Sequence, residues 1–571
     1  MKTWHEGGIL VVACVFLYLT GSGDVPFYTR GEPREGLVVR EMLRTGDWLV
    51  PTRPGGDLAK KPPLYYWAAA TTMTLLPDPP ERAMRLPSVL LGTAGVLVTW
   101  AAARRALPAG AALPAALILA TSFEWARAAS SARVDMALAA PLAFVLAAWT
   151  AALALPGVGP GRLLVVAILA AALGVLGKGP IALALPALAA GTLLALRTHR
   201  PAALRLRPAT TLLAAAALAA LWYGAAFARQ GWAFVDVVAR ENVQRFLDTD
   251  AANTGHAHGP FYLLGLGLVG ILPWTPIVSL AWAAPRSPVK VLSAAWVITG
   301  CLFFMLATSK RSVYLLPLYP ALALLVAGGA TSPGGDGRAR AIARMGARTY
   351  PVVLGGIAAL AAAAAFGLDV SAPIRPLLKS QDRESALALT AAARDATPLI
   401  LLLAVATTGA AIAATRARRD DAWPRLVLVI GAVFVAWIAF FNGVLHPAIG
   451  RGRSMREFLA HVGTIVPPDR ALYARFPPDP AVRFYAPREL VPWRNDSAAG
   501  SYVLLWEEDW RGIRDERGEP LEVVAVSDAI RSRQGHLTLV RAPAGRVRRA
   551  PETARSPSES DSAPGLRTYH E

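Results

Sequence analysis

Residues 29–67, TRGEPREGLVVREMLRTGDWLVPTRPGGDLAKKPPLYYW, decide how the rest of the chain is read. They follow the first long apolar run, yet they mix acids, bases, prolines and aromatic residues. A segment facing lipid cannot hold so many polar groups, because each would lose water without gaining a partner. The stretch is therefore a loop outside the hydrocarbon.

Within it Leu37, Val38, Met42 and Leu43 recur at helical spacing, with Arg34, Glu35, Arg40, Glu41 and Arg44 interleaved. That pattern predicts an amphipathic helix over 34–44, lying along a membrane surface. Pro33 sits where a first helical turn tolerates proline, which puts Glu32 near the N-terminal cap. Downstream, Lys60 and Lys61 precede Pro62, Pro63 and the interfacial aromatics Tyr65, Tyr66 and Trp67. Cations beside such aromatics suit a lipid phosphate.

The whole chain has 571 residues, 54% of them hydrophobic and only 17% charged, which reads as a polytopic membrane protein. A net charge of +19 would suit a nucleic-acid binder if it formed one stripe. The arginines recur instead in short groups between apolar runs, as in membrane loops. Cys14 and Cys301 both lie inside apolar runs, so no disulfide framework or cysteine metal site is expected.

Residues 8–20 read as a retained first helix, with a cleaved signal peptide as the alternative; either puts Gly31 onward outside the cytoplasm. Later spans are expected at 82–103, 109–125, 134–155, 161–176, 180–196, 207–228, 260–283, 288–308, 313–330, 349–367, 397–415 and 423–444, about thirteen in all. Residues 62–76 are apolar but short and end at Pro77, so they predict a helix that does not span. With the N-terminus inside, the inner loops then carry Arg104 and Arg105, Arg162, Arg197, Arg286 with Lys290, Arg338 to Arg348, and Arg416 to Arg419. Counting 62–76 as a span would put nearly all of these outside.

The expected organisation is a multi-pass α-helical membrane domain over 1–444, with its first outer loop at 23–81. A small α/β extracytoplasmic domain over 445–545 follows, with a helix at Met455–Val462 and strands at Tyr502–Trp506, Leu521–Val526 and His536–Val540. Residues 546–571 hold Arg, Pro, Ser and Glu with few large apolar residues and read as a disordered tail.

The same parity gathers a second polar set on the outer side. It comprises Arg133, Asp135, Lys178, Glu241, Asn242, Arg245, His256, His258, Lys310, Arg311 and Tyr314, facing Glu32, Arg34 and Lys61. A charge at a span's centre costs roughly 2.5 to 3.5 kcal/mol, so one charge at a helix end reads as an interface anchor. Acids and bases converging on one side read as a binding cavity. Asp135 alone could equally cap the fourth span or pair with Arg133. His258 has no HxxxH or HExxH companion and so signals a metal only weakly.

In their order, GEPREGLVVREML, GDWLVP, KKPPLYYW, RVDMALA, GKGPI, RENVQRF, HGPFY and SKRSVYLLPLYP resemble glycosyltransferase family 39 over about residues 1–445. That family includes protein O-mannosyltransferases and bacterial lipid A aminoarabinose transferases, and the outer domain resembles the latter branch. The resemblance implies a GT-C membrane glycosyltransferase of the cell envelope. It would take a sugar from an undecaprenyl-phosphate donor, at the periplasmic face of a bacterial inner membrane. The acceptor would be a lipid A-like lipid, another glycan or a protein; neither a nucleotide sugar nor nucleic acid is expected.

By motif match, Glu32 and Asp135 carry the catalytic acids, and Lys61, Lys310, Arg311 and Tyr314 the donor phosphate. Arg34, Lys178, Glu241, Arg245 and His258 would line the cavity. The chain departs from the pattern at Gly31, where the family has aspartate, and at Lys60, where it often has glutamate. In the aminoarabinose branch the latter position joins the histidine matched by His258 in holding a divalent metal, the one cofactor left open here.

The chemistry is consistent with the residues. Cations aimed at a departing phosphate stabilise the transition state more than the ground state. A carboxylate opposite them can take the acceptor's proton. A transporter or flippase of lipid-linked sugars could use a similar polar cavity, although no internal repeat supports it. A catalytically inactive scaffold is the third reading, given weight by Gly31.

Overall fold

The computed structural model describes residues 3–155, 160–241, 258–259, 261–332, 334, 336–475, 478–493, 500–509, 521–531 and 535–542. They form two compact units, the first running to Gly452 and the second beginning at Arg453. The expected tail lies outside the described residues.

The first unit is helical. Among the described residues nine helices are long and apolar enough to cross a membrane. Two further candidates are bent pairs, Ile181–Ala195 with Arg197–Arg205 at 106° and Tyr262–Gly270 with Thr275–Ala283 at 104°. Two shorter apolar helices, His5–Leu19 and Ala112–Thr121, lie at the two remaining expected positions, and the second, at 10 residues, is too short to cross by itself.

The chain begins with α1 (Thr3–Leu19), α2 (Gly31–Thr45), α3 (Leu64–Leu75) and α4 (Pro80–Ala106). At 12 residues α3 is about 18 Å long, far short of a roughly 30 Å hydrocarbon core. Next come α5 (Ala112–Thr121), α6 (Phe123–Ala129), α7 (Met136–Ala154), α8 (Pro160–Lys178) and α9 (Ile181–Ala195).

Burial divides the spans into an inner and an outer set. Met136–Ala154 and Ser312–Thr331 are 83% buried, whereas Pro208–Gln230 and Thr397–Arg419 are 28% buried. Their sequences explain the difference. The whole of α7, MALAAPLAFVLAAWTAALA, is apolar on every side and rich in alanine, so neighbours can pack all round it. The outer helices leave Leu213, Leu221, Leu402 and Val405 uncovered, a surface suited to lipid.

The first loop differs from a surface helix in one respect. Its apolar residues Leu37, Val38 and Met42 are buried as the spacing requires, but so are Glu32, Glu35 and Glu41. Each carboxylate meets a cation: Glu41 takes two hydrogen bonds from Arg44, and Glu35 accepts from Arg34 at 3.2 Å. Pairing is what allows these charges to be enclosed.

In the second unit the helix Arg456–Ile465 covers a five-stranded sheet. Its strands are β1 (Leu472–Ala474), β2 (Leu490–Pro492), β3 (Tyr502–Trp506), β4 (Glu522–Arg531) and β5 (Gly535–Arg541), in the order β2-β1-β3-β5-β4. β1 runs parallel to β2 and β3, while β5 runs antiparallel to β3 and β4. Leu459, Val462, Leu472, Leu504 and Leu539 share its core. At three residues each, β1 and β2 are too short to show an alternating pattern in sequence.

Candidate active site

Polar residues collect where the two most buried spans begin. Asp135 immediately precedes α7, and Arg311 immediately precedes Ser312–Thr331. Lys178 ends α8, which packs along α7. Around these ends opens a cleft of about 150 Å³. Its described lining includes the cations Arg34, Lys61, Arg133, Lys178 and Arg311, the acids Glu35, Asp135 and Glu241, and the rings of Phe303, Phe304 and Tyr314.

The ion pairs fix most of these groups. Lys178 Nζ donates to Asp135 Oδ1 at 2.5 Å, and Arg133 Nε lies 3.3 Å from Asp135 Oδ2. Burial would raise the Asp135 carboxyl, but the charges of Lys178 and Arg133 outweigh it and hold the group well below the usual carboxylate range. Lys61 Nζ donates to Glu241 at 2.8 Å, with Lys60 Nζ 3.8 Å from the same carboxylate. Lys178 Nζ also stands 5.8 Å above the Tyr314 ring, which stacks on Phe304.

Glu35 accepts from the Tyr66 hydroxyl at 2.7 Å and from Arg34. Burial first, and then the Glu35 charge, push the Tyr66 phenol well above its ordinary range, so it remains a donor. Glu35 was not among the residues expected to line the cavity, since its spacing set it on the amphipathic face of the loop helix. The signal was its spacing: three residues after Glu32, it lies one turn along the same side of α2. Phe303 and Phe304 gave no signal, being apolar residues at the end of a span.

Of the residues expected at the site, Arg34, Lys61, Asp135, Lys178, Glu241, Arg311 and Tyr314 line the cleft. Glu32, Lys310 and His258 do not. Glu32 receives Arg85 Nε and Nη2 at 2.8 and 2.9 Å and the Ala132 backbone N–H at 2.9 Å. Its oxygens are thus occupied in holding the loop before α7 against α2. Lys310 is buried and donates to the Ala307 carbonyl at 2.7 Å, while extended backbone at Arg311 turns the next side chain to the opposite side. Arg245, Asn242 and His256 lie outside the described residues.

His258 is exposed, its ring stacked 3.9 Å from that of Tyr262. Among the described residues no three His, Cys, Asp or Glu side chains gather to hold a metal. Lys60 presents an ammonium to Glu241 and cannot serve as a ligand in that state. The described donor set does not fit a metal.

Fold and cleft together define a multi-pass membrane protein of the GT-C architecture, with a mixed-charge site at the ends of its central helices. Residues 60–223 match the family described as dolichyl-phosphate-mannose-protein mannosyltransferase. The undecaprenyl phosphate-alpha-4-amino-4-deoxy-L-arabinose arabinosyl transferase of Aeromonas salmonicida is 30% identical over 346 residues. That match spans 57% of this chain and 60% of the relative, so the chain covers about three-fifths of the length of the curated relatives it matches. The crystal structure of ArnT from Cupriavidus metallidurans bound to undecaprenyl phosphate superimposes with a TM-score of 0.73 at 20% identity, covering 95% of this chain and 98% of that one. The apo form gives 0.72. The chain thus shares their fold, and the resemblance to glycosyltransferase family 39 stands.

Proposed function

We propose that this chain is an integral membrane glycosyltransferase. It takes a pentosyl or hexosyl group from an undecaprenyl-phosphate donor and passes it to an envelope acceptor, a lipid A-like lipid, another glycan or a protein. Its site faces the periplasm of a bacterial inner membrane. The observation that carries the reading is the cleft itself: cations, carboxylates and aromatic rings converge at one end of apolar helices, on a fold shared with a protein that binds undecaprenyl phosphate.

In this reading Lys61, Lys178 and Arg311 face the donor phosphate, and Tyr314 with Phe304 packs beside it. As the sugar C1–O bond breaks, its electron pair moves to the phosphate oxygen, where the cations stabilise the growing charge. The acceptor oxygen forms the new bond to C1. Its proton passes to a carboxylate. Asp135 is committed to two cations and sets their positions. Glu35, held by a neutral phenol and one guanidinium, is the better placed to take the proton.

The test is transfer by the purified full-length chain from radiolabelled undecaprenyl-phosphate sugars to an envelope extract. Transfer is expected, with Glu35→Gln lowering turnover by about 10²-fold or more while still binding donor. Tight donor binding with no transfer to any fraction would favour the scaffold reading. Movement of intact donor across a vesicle membrane would favour the flippase.

A further inference from the structure

The carboxylate of Glu124, in the first turn of α6, is 2% exposed and does not line the cleft. Its Oε1 accepts from Arg127 Nη2 at 2.6 Å and from Ser312 Oγ at 2.9 Å, and its Oε2 accepts from Arg127 Nε at 3.1 Å. Arg127 stands one turn along the same helix, so the fork of its guanidinium fixes the carboxylate from within α6. Ser312 is 188 positions away and opens the span Ser312–Thr331. One acid therefore joins two elements that are remote in sequence.

Each of the two elements carries an edge of the cleft. At the end of α6 the Ser131 hydroxyl donates to the Arg127 carbonyl at 2.6 Å, and the chain then runs directly into Arg133 and Asp135. Ser312 follows Arg311, which lines the cleft from extended backbone at φ −134° and ψ 145°. Successive side chains of extended backbone point to opposite sides, so a Ser312 hydroxyl anchored on Glu124 leaves Arg311 projecting the other way, into the cleft. Packing alone gives no reason for a carboxylate at position 124, because a buried ion pair contributes little net stability against apolar residues of similar volume. What the carboxylate adds is a defined place for the Ser312 hydroxyl.

We infer that Glu124 is a positioning residue of the cleft, setting Arg311 through the Ser312 hydroxyl against the edge that carries Asp135. The inference rests on the reading above, in which Arg311 faces the donor phosphate. Glu124 touches no substrate and acts on donor binding through Arg311.

The test measures the affinity of undecaprenyl phosphate for the purified full-length chain in detergent. Ser312→Ala should weaken it about five- to tenfold, the scale of a lost hydrogen bond to a charged group, whereas Ser312→Thr keeps the hydroxyl and should stay within about twofold of the parent. Glu124→Met combined with Arg127→Met preserves volume without leaving a charge unpaired, and should weaken affinity as much as Ser312→Ala. In an Arg311→Gln background, itself weaker than the parent, neither change should cost more than about twofold further. An unchanged affinity in Ser312→Ala, or the same loss with and without Arg311, would overturn the inference while leaving the donor reading intact. The two Ser312 variants decide the matter alone if the Glu124 variant does not fold. Arg311→Gln binding as tightly as the parent, or a parent that does not bind undecaprenyl phosphate, would overturn the inference together with the donor reading beneath it.

Discussion

Glu32 and Arg85 meet through two parallel hydrogen bonds, with side chains 10% and 2% exposed. Arg85 Nη1 also donates to the Ser22 and Val25 carbonyls at 2.7 and 2.6 Å, so one guanidinium ties the first loop to the start of α4. Burial would raise the Glu32 carboxyl, but Arg85 and the Ala132 N–H outweigh it and hold the group below its usual range. A carboxyl depressed in the folded state contributes stability above its unfolded value, near 4.3, and loses that contribution as pH falls through the folded value. Removing one partner of a buried pair costs about 3 to 5 kcal/mol. Glu32→Gln should therefore lower the thermal midpoint in detergent at pH 7, and by less at pH 4. Turnover per folded molecule should stay within about threefold of the parent. A hundredfold loss of turnover with an unchanged midpoint would instead return Glu32 to the chemistry.

At the scale of elements, the cleft depends on how closely α7 and α8 cross. A β-carbon at Gly177 would lie 2.1 Å from the backbone oxygen of Ala137, so glycine is what allows the end of α8 to rest against the first turn of α7. Lys178, the next residue, then reaches Asp135. Gly177→Ala should force the helices apart at a cost of about 1 to 3 kcal/mol and weaken donor binding with it. Gly224→Ala, in the helix Pro208–Gln230 with open space around the new methyl, should leave both unchanged or slightly improved. Matching losses in the two variants would mean that the crossing at Gly177 is not what places Lys178. The motif GKGPI thus carried a packing requirement and a charge in adjacent residues, and only the charge could be read without knowing what Gly177 touches.

Across the first unit, ion pairs between distant loops fall into two sets. Glu6 meets Arg104 at 3.7 Å and Arg344 meets Asp421 at 3.0 Å, joining segments that the arginine count assigns to the inside. Lys61 with Glu241, Arg229 with Asp47, and Glu32 with Arg85 join segments assigned to the outside. A cysteine at Asp57 should therefore react with a membrane-impermeant reagent added to intact cells, and one at Arg338 should react only after permeabilisation. The opposite pattern would invert the topology and with it the side from which substrate arrives.

Hydropathy and arginine placement belong to short stretches of chain, and the cost of burying an unpaired polar group in lipid acts on each stretch separately. For that reason the sequence alone determined where the apolar helices and the short helix α3 lie and which loops carry the polar residues. It also brought Lys61, Asp135, Lys178, Arg311 and Tyr314 to one set of loops. Tertiary structure decided which way each side chain faces once helices far apart in sequence are packed. It turned Glu32 toward Arg85 and Lys310 toward the Ala307 carbonyl, brought Glu35 and Tyr66 to the cleft, and set Arg133 in the space that Gly31 leaves. Lys310 turns on a contact only three residues away, but Glu35 and Tyr66 are 31 positions apart, Glu32 and Arg85 53, and Ala132 and Glu32 100, and no local pattern encodes contacts at those separations.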